Sequence, residues 1–228
     1  MTFYSAAAAL HVGVGAGALA AFWAATTARK GSPLHRRAGQ AYLLLMVGIG
    51  LTSVPLLVSL FLQGRRAWVA FLTFIFLFVW THCWMAWRAI RLRANWQRYA
   101  SAAYRRVAWA NLLAGMGILC LGLATGRVLL IAFSGAGIFA GCFNLRVAAT
   151  PPVDTHWWLR EHLRANLNNA TATHISFFTI GLRTIVPALD RPLGMYVGWL
   201  GPLGVAILLR IYLEQRYHAK PTRRPHAA

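Results

Sequence analysis

The sequence predicts an all-α fold, a polytopic membrane helix bundle of about seven transmembrane helices with its N-terminus outside and its C-terminus cytoplasmic. Three observations predict it. Of the 228 residues 58% are hydrophobic, mean hydropathy is +0.53, and only 4 residues are acidic, too little polar surface for one soluble domain. The apolar residues fall in stretches of about 18 to 25, long enough to cross about 30 Å of hydrocarbon. The 23 Lys and Arg residues gather in alternate gaps between those stretches.

The spans read as roughly 4–27, 38–62, 67–90, 107–124, 127–149, 170–189 and 194–213, forming one transmembrane domain over 1–215 with a basic cytoplasmic tail over 216–228. The first span has no basic n-region and no small-residue cleavage site, so it reads as a retained helix. Ser32-Pro33 starts the second. The gaps Gln63-Gly64-Arg65-Arg66, Thr125-Gly126-Arg127 and Asp190-Arg191 are tight turns between antiparallel neighbours. Without a break at Gly126, spans four and five would be one helix of about 43 residues, far too long for a bilayer. Pro55 and Pro202 are expected to kink spans two and seven.

Orientation follows from the basic residues. Arg29, Lys30, Arg36 and Arg37, the six arginines from Arg88 to Arg106, Arg146, Arg160, Arg164, Arg210, Arg216, Lys220, Arg223 and Arg224 share one side, 18 in all. Arg65, Arg66, Arg127, Arg183 and Arg191 make 5 on the other. The richer side is cytoplasmic, which fits a bacterial inner membrane. Basic residues lying within a turn or two of apolar spans match anionic lipid head groups rather than nucleic acid.

Cys83, Cys120 and Cys142 all fall inside spans and fit neither a disulfide framework nor a zinc signature. Asn169-Ala170-Thr171 has a glycosylation pattern on the side where it cannot be used. Gly13/Gly17, Gly122/Gly126, Gly137/Gly141 and Gly194/Gly198 are small-residue pairs that would let helix backbones approach. Arg36-Arg37-Ala38 through Leu43-Leu44 aligns with Arg105-Arg106-Val107 through Leu112-Leu113, and Gly64-Arg65 with Gly126-Arg127, so the two hairpins are candidates for a duplication.

Polar residues within spans carry the functional signal, because an unpaired polar group in lipid costs several kcal/mol. Asp154 is a candidate N-cap, and no Pro or Gly follows until Gly181. One helix is therefore expected from an interfacial foot at Trp157 and Trp158 upward. Along it His162, Asn166, Asn169, Thr173 and Ser176, with Arg183 beyond, form one narrow stripe. The stripe must face protein or water: either interhelical hydrogen bonds to Asn111, Asn144 or backbone carbonyls, or a polar path for a solute or ion.

His82 and His174 fall at similar expected depths, about 22 Å and about 6 Å from opposite span ends. They form a candidate axial pair for haem b, with His35 and His162 as further cofactor candidates at the rim and His11 isolated toward the other face. His174 points about 100° away from the stripe, so a haem site and a polar path would use different faces. No metal set is apparent.

At His35-Arg36-Arg37-Ala38-Gly39 and Trp158-Leu159-Arg160-Glu161-His162 the chain resembles bacterial families of uncharacterised predicted membrane proteins with a His-Arg-x-x-Gly step before the second span. Their helical layout is similar to that of b-type membrane cytochromes. The resemblance implies no assigned activity. Two function classes compete: haem- or quinone-linked electron transfer at His82 and His174, and transport or sensing of a small solute or ion along the stripe, with Arg183 at one mouth and Glu161-His162 at the other. A purely structural or accessory membrane role stands beside them. The carboxylates all lie at or beyond interfaces, which argues against a hydrolase.

Overall fold

A computed structural model describes residues 3–181 and 192–217. These residues form helices and connecting turns, with no strand: α1 (Phe3–Thr27), α2 (Pro33–Leu62), α3 (Arg66–Arg91), α4 (Trp96–Tyr99), α5 (Ala102–Thr125), α6 (Val128–Ala149), α7 (Trp157–Ser176) and α8 (Pro192–Tyr217). A π-helical turn, Phe177–Gly181, extends α7. Among the described residues, α1, α2, α3, α5 and α6 are long and apolar enough to cross a membrane, and they coincide with the first five expected spans. The sixth expected span begins midway along α7 and continues outside the described residues. The seventh falls within α8, whose apolar stretch Tyr196–Leu209 is shorter.

Local sequence sets the helix ends. At α2, the Ser32 hydroxyl accepts from His35 N–H at 3.2 Å while Pro33 pre-sets the first turn. Gly64 and Gly126 adopt φ of 72° and 64°, a left-handed conformation that glycine enters without a Cβ penalty. After each glycine, the following arginine N–H reaches back five residues, Arg65 to Leu60 O and Arg127 to Gly122 O, both at 3.0 Å. Both arginines then cap the next helix. The break at Gly126 therefore separates two antiparallel helices, and the two hairpins share one turn device.

One expectation at α7 needs correction. His156, not Asp154, occupies the N-cap. Asp154 sits two residues earlier, where its carboxylate accepts from His156 N–H at 2.8 Å and pairs with Arg160. The His156 N–H and, less strongly, the Arg160 guanidinium hold that carboxyl below the usual range. α2 and α8 continue through Pro55 and Pro202 as helices. One turn before Pro55, the Thr52 and Ser53 hydroxyls donate to Gly48 O and Gly50 O at 2.9 and 2.7 Å.

α3 and α7 form the centre. α7 packs on α1, α3 and α8, while α3 also meets α2 and α5. Aromatic packing closes one end, where Phe71, Phe133 and Trp199 meet edge to face or tilted at 5.4–5.5 Å between ring centres. Tyr99, Tyr104, Trp157 and Ala165 fill the other end, next to the basic loops. Leu44, Leu51, Leu113, Phe139 and Leu208 lie exposed on the outside, an apolar jacket suited to lipid.

The small-residue seam is narrower than expected and lies between α5 and α6. A Cβ added at Gly141 would stand 2.7 Å from Leu112 N, and one at Gly137 2.9 Å from Asn111 O. Gly115, absent from the expected pairs, is equally tight, 2.8 Å from Ile138 N. Gly13 meets nothing within 4 Å, so it packs no helix, and Gly126 serves the turn. Gly198 approaches Thr179 at 3.1 Å.

Candidate functional site: the polar face of α7

The stripe faces protein along most of its length, and its middle is closed. Asn169 is fully buried. In the amide orientation that satisfies both of its groups, its Nδ2 donates to Val79 O at 3.1 Å and its Oδ1 accepts from Cys83 N at 3.3 Å. Thr173 is buried, donates to Asn169 O at 2.9 Å, and lies 3.1 Å from the Tyr42 hydroxyl on α2. Asn169 and Thr173 thus bind α7 to α3 and α2 instead of lining an opening. Ser176 is exposed, and Arg183 lies outside the described residues.

Asn111 and Asn144 do not partner the stripe. Asn111 donates to Thr81 Oγ1 at 3.0 Å and to Val107 O at 2.9 Å, joining α5 to α3. Asn144 accepts from the Tyr104 hydroxyl at 3.2 Å. The backbone carbonyls and Tyr42 take the place expected of the two asparagines.

Toward the basic end, α7 carries charge. Arg164 donates to Glu161 Oε1 at 2.6 Å, with the two side chains 18% and 9% exposed. The guanidinium also lies over the Phe143 ring, 3.9 Å from its centre. Tyr99 donates to the other Glu161 oxygen at 3.5 Å. Burial, and then the neighbouring Tyr104 and Glu161, push the Tyr99 phenol up, so it keeps the proton that it donates. Glu161 is thereby committed to Arg164 and Tyr99, not to His162.

His162 occupies the junction of three helices. Its Nδ1–H donates to Ala86 O of α3 at 3.1 Å, which leaves Nε2 as an acceptor. Asn166 Nδ2 lies 3.3 Å from both ring nitrogens and donates to His162 O at 2.7 Å, all within α7. His35 of α2 stands within electrostatic range of this ring. Its own Nδ1–H donates to Ala25 O of α1 at 2.8 Å.

His82 and His174 pack against different aromatic neighbours. His82 is buried, with its ring 4.2 Å from that of Phe78 and Arg164 as an electrostatic neighbour. His174 lies ten residues beyond Arg164 and packs edge-on against Phe22 and Trp23 of α1 at 5.5 and 5.6 Å. Along α7, Ala86 lies beside His162, and Val79 and Cys83 lie beside Asn169. Both Nδ1 atoms donate to carbonyls four residues back, Phe78 O and Ala170 O. Among the described residues no three His, Cys, Asp or Glu side chains gather as a metal set. His11, isolated as expected, donates through Nδ1 to Thr52 Oγ1 at 2.9 Å.

Tyr42, Tyr99 and Tyr104 escaped sequence reasoning because tyrosines near span ends read as interfacial anchors. Arg164 did leave a signal, standing three residues after Glu161 on one helix face.

Fold and site together define an all-α bundle with membrane-length apolar helices packed around one polar helix. No family model, curated protein or solved structure matches the chain.

Proposed function

We propose that this chain is a seven-span protein of the bacterial inner membrane, N-terminus outside, that senses protons or a proton-linked small solute at the cytoplasmic end of α7. One observation carries the reading: a single titratable ring on α7, His162, donates to Ala86 O of α3 and stands within electrostatic range of His35 on α2. Imidazole changes charge between about pH 5 and 8. A proton on Nε2 places a full positive charge 3.3 Å from the Asn166 amide donor. Asn166 relieves that opposition by turning its oxygen inward, and turning costs its hydrogen bond to His162 O. The added charge also faces His35. Protonation therefore works against the local arrangement of α7 beside α3 and α2, which is what a sensor requires.

The closed middle of the stripe, held by Asn169 and Thr173, favours sensing over an open path. The asymmetry of basic residues supports the orientation, and the apolar stretch in α8 supports a seventh span.

Ring-labelled histidine NMR tests the reading in detergent micelles. Burial holds the His162 imidazole below its ordinary value, so its ring signals are expected to move toward the acid end of the range from about pH 5 to 8, and His35→Gln is expected to shift their midpoint. A His162 ring that is silent across that range, or a midpoint indifferent to His35, overturns the proposal.

A further inference from the structure

At the end of the bundle away from His162, the α2–α3 and α5–α6 turns lie side by side and enclose an open cleft of about 410 Å³, lined by Gly64, Arg65, Arg66, Ala67, Trp68 and Arg127. Three arginines line it, and no ion pair among the described residues engages any of them. Two of the three come from the shared turn device. In each turn a left-handed glycine, Gly64 or Gly126, is followed by an arginine whose N–H is tied back to the preceding helix. Those glycines hold the turns tight enough to place Arg65 and Arg127 in one cleft.

The helix directions add to the same field. α3 and α6, 26 and 22 residues long, both begin here, so the positive ends of two macrodipoles meet the cleft along with the three side chains. Arg65 leans over the Trp68 ring, 5.9 Å from its centre, which leaves an aromatic wall beside the charge. Like charges gathered without counter-charges repel one another, and an anion that bridges them relieves that repulsion. Guanidinium forks match phosphate oxygens in pairs.

The geometry points to this cleft as a binding site for a phosphate-bearing anion, held by Arg65, Arg66 and Arg127. A lipid head group and free phosphate share that chemistry. The site is independent of the histidine cluster at the other end of the bundle.

The test uses the purified full chain in detergent. Lipid retention is followed by native mass spectrometry with dioleoyl phosphatidylglycerol against dioleoyl phosphatidylcholine, and inorganic phosphate binding by thermal shift at constant ionic strength. Arg65→Gln/Arg66→Gln/Arg127→Gln is expected to weaken phosphatidylglycerol binding about 100-fold, each single change roughly fivefold. Arg36→Gln/Arg37→Gln, at the opposite end of α2, is expected to cost far less. Far-UV circular dichroism checks that the triple variant stays helical, and the single variants report independently if it does not. If the arginine changes remove the phosphatidylglycerol effect alone, the ligand is a lipid head group. If they remove the phosphate shift, the cleft accepts the free anion. A wild-type chain that prefers neither probe, a triple variant that binds as the wild type does, or a control pair that costs as much as the triple overturns the proposal.

Discussion

Replacing Arg164 by Met is expected to destabilise the bundle by about 3–5 kcal/mol, because it leaves Glu161 as a buried carboxylate without its counter-charge. Glu161 is 9% exposed and receives only the longer Tyr99 contact besides. Methionine keeps most of the packing against Phe143, so the loss reads the charge rather than the volume. The double variant Arg164→Met/Glu161→Gln is expected to recover most of the stability, since it removes the stranded charge. Reversible unfolding in mixed micelles measures both. A single variant costing under about 1 kcal/mol would place the pair in the class of solvent-screened surface bridges.

Gly141→Val is expected to cost about 3 kcal/mol through overpacking. The first added carbon already stands 2.6 Å from Leu112 Cβ and 2.7 Å from Leu112 N, and backbone yields less readily than a side-chain tip. Gly13→Val is the comparison, expected to stay within about 0.5 kcal/mol because nothing lies within 4 Å of that site. Both glycines begin or end a small-x-x-x-small pair in the sequence, so equal effects in the same unfolding assay would contradict the α5–α6 seam.

That contrast shows what spacing encodes. A glycine pair marks where helices are able to approach, but the partner that closes on it lies elsewhere in the chain: Gly141 meets Leu112, 29 residues away, while Gly13 meets nothing. The apolar stretches were legible because bilayer thickness and helix rise leave little choice of length. The turns at Gly64 and Gly126 were legible because a left-handed C-cap selects glycine.

The α7 stripe was legible for a similar reason, since five polar residues on one helix face must turn from lipid. Its partners were not. The groups that satisfy Asn169 and His162 are main-chain carbonyl and amide groups of α3, present at every residue and so invisible in side-chain patterns. The surroundings of the two candidate histidines were equally hidden: His82 packs on Phe78 of its own helix, and His174 on Phe22 and Trp23 of α1.

Hydrogen exchange along α7, at pH 5 and pH 7.5 and corrected for intrinsic exchange, tests the central claim that protonation at His162 loosens the contact of α7 with its neighbours. Protection of residues 162–173 is expected to fall about fivefold at the lower pH, equivalent to about 1 kcal/mol, and to stay constant in His162→Gln. Equal protection at both pH values in the wild-type protein, or an unchanged pH effect in His162→Gln, would contradict it.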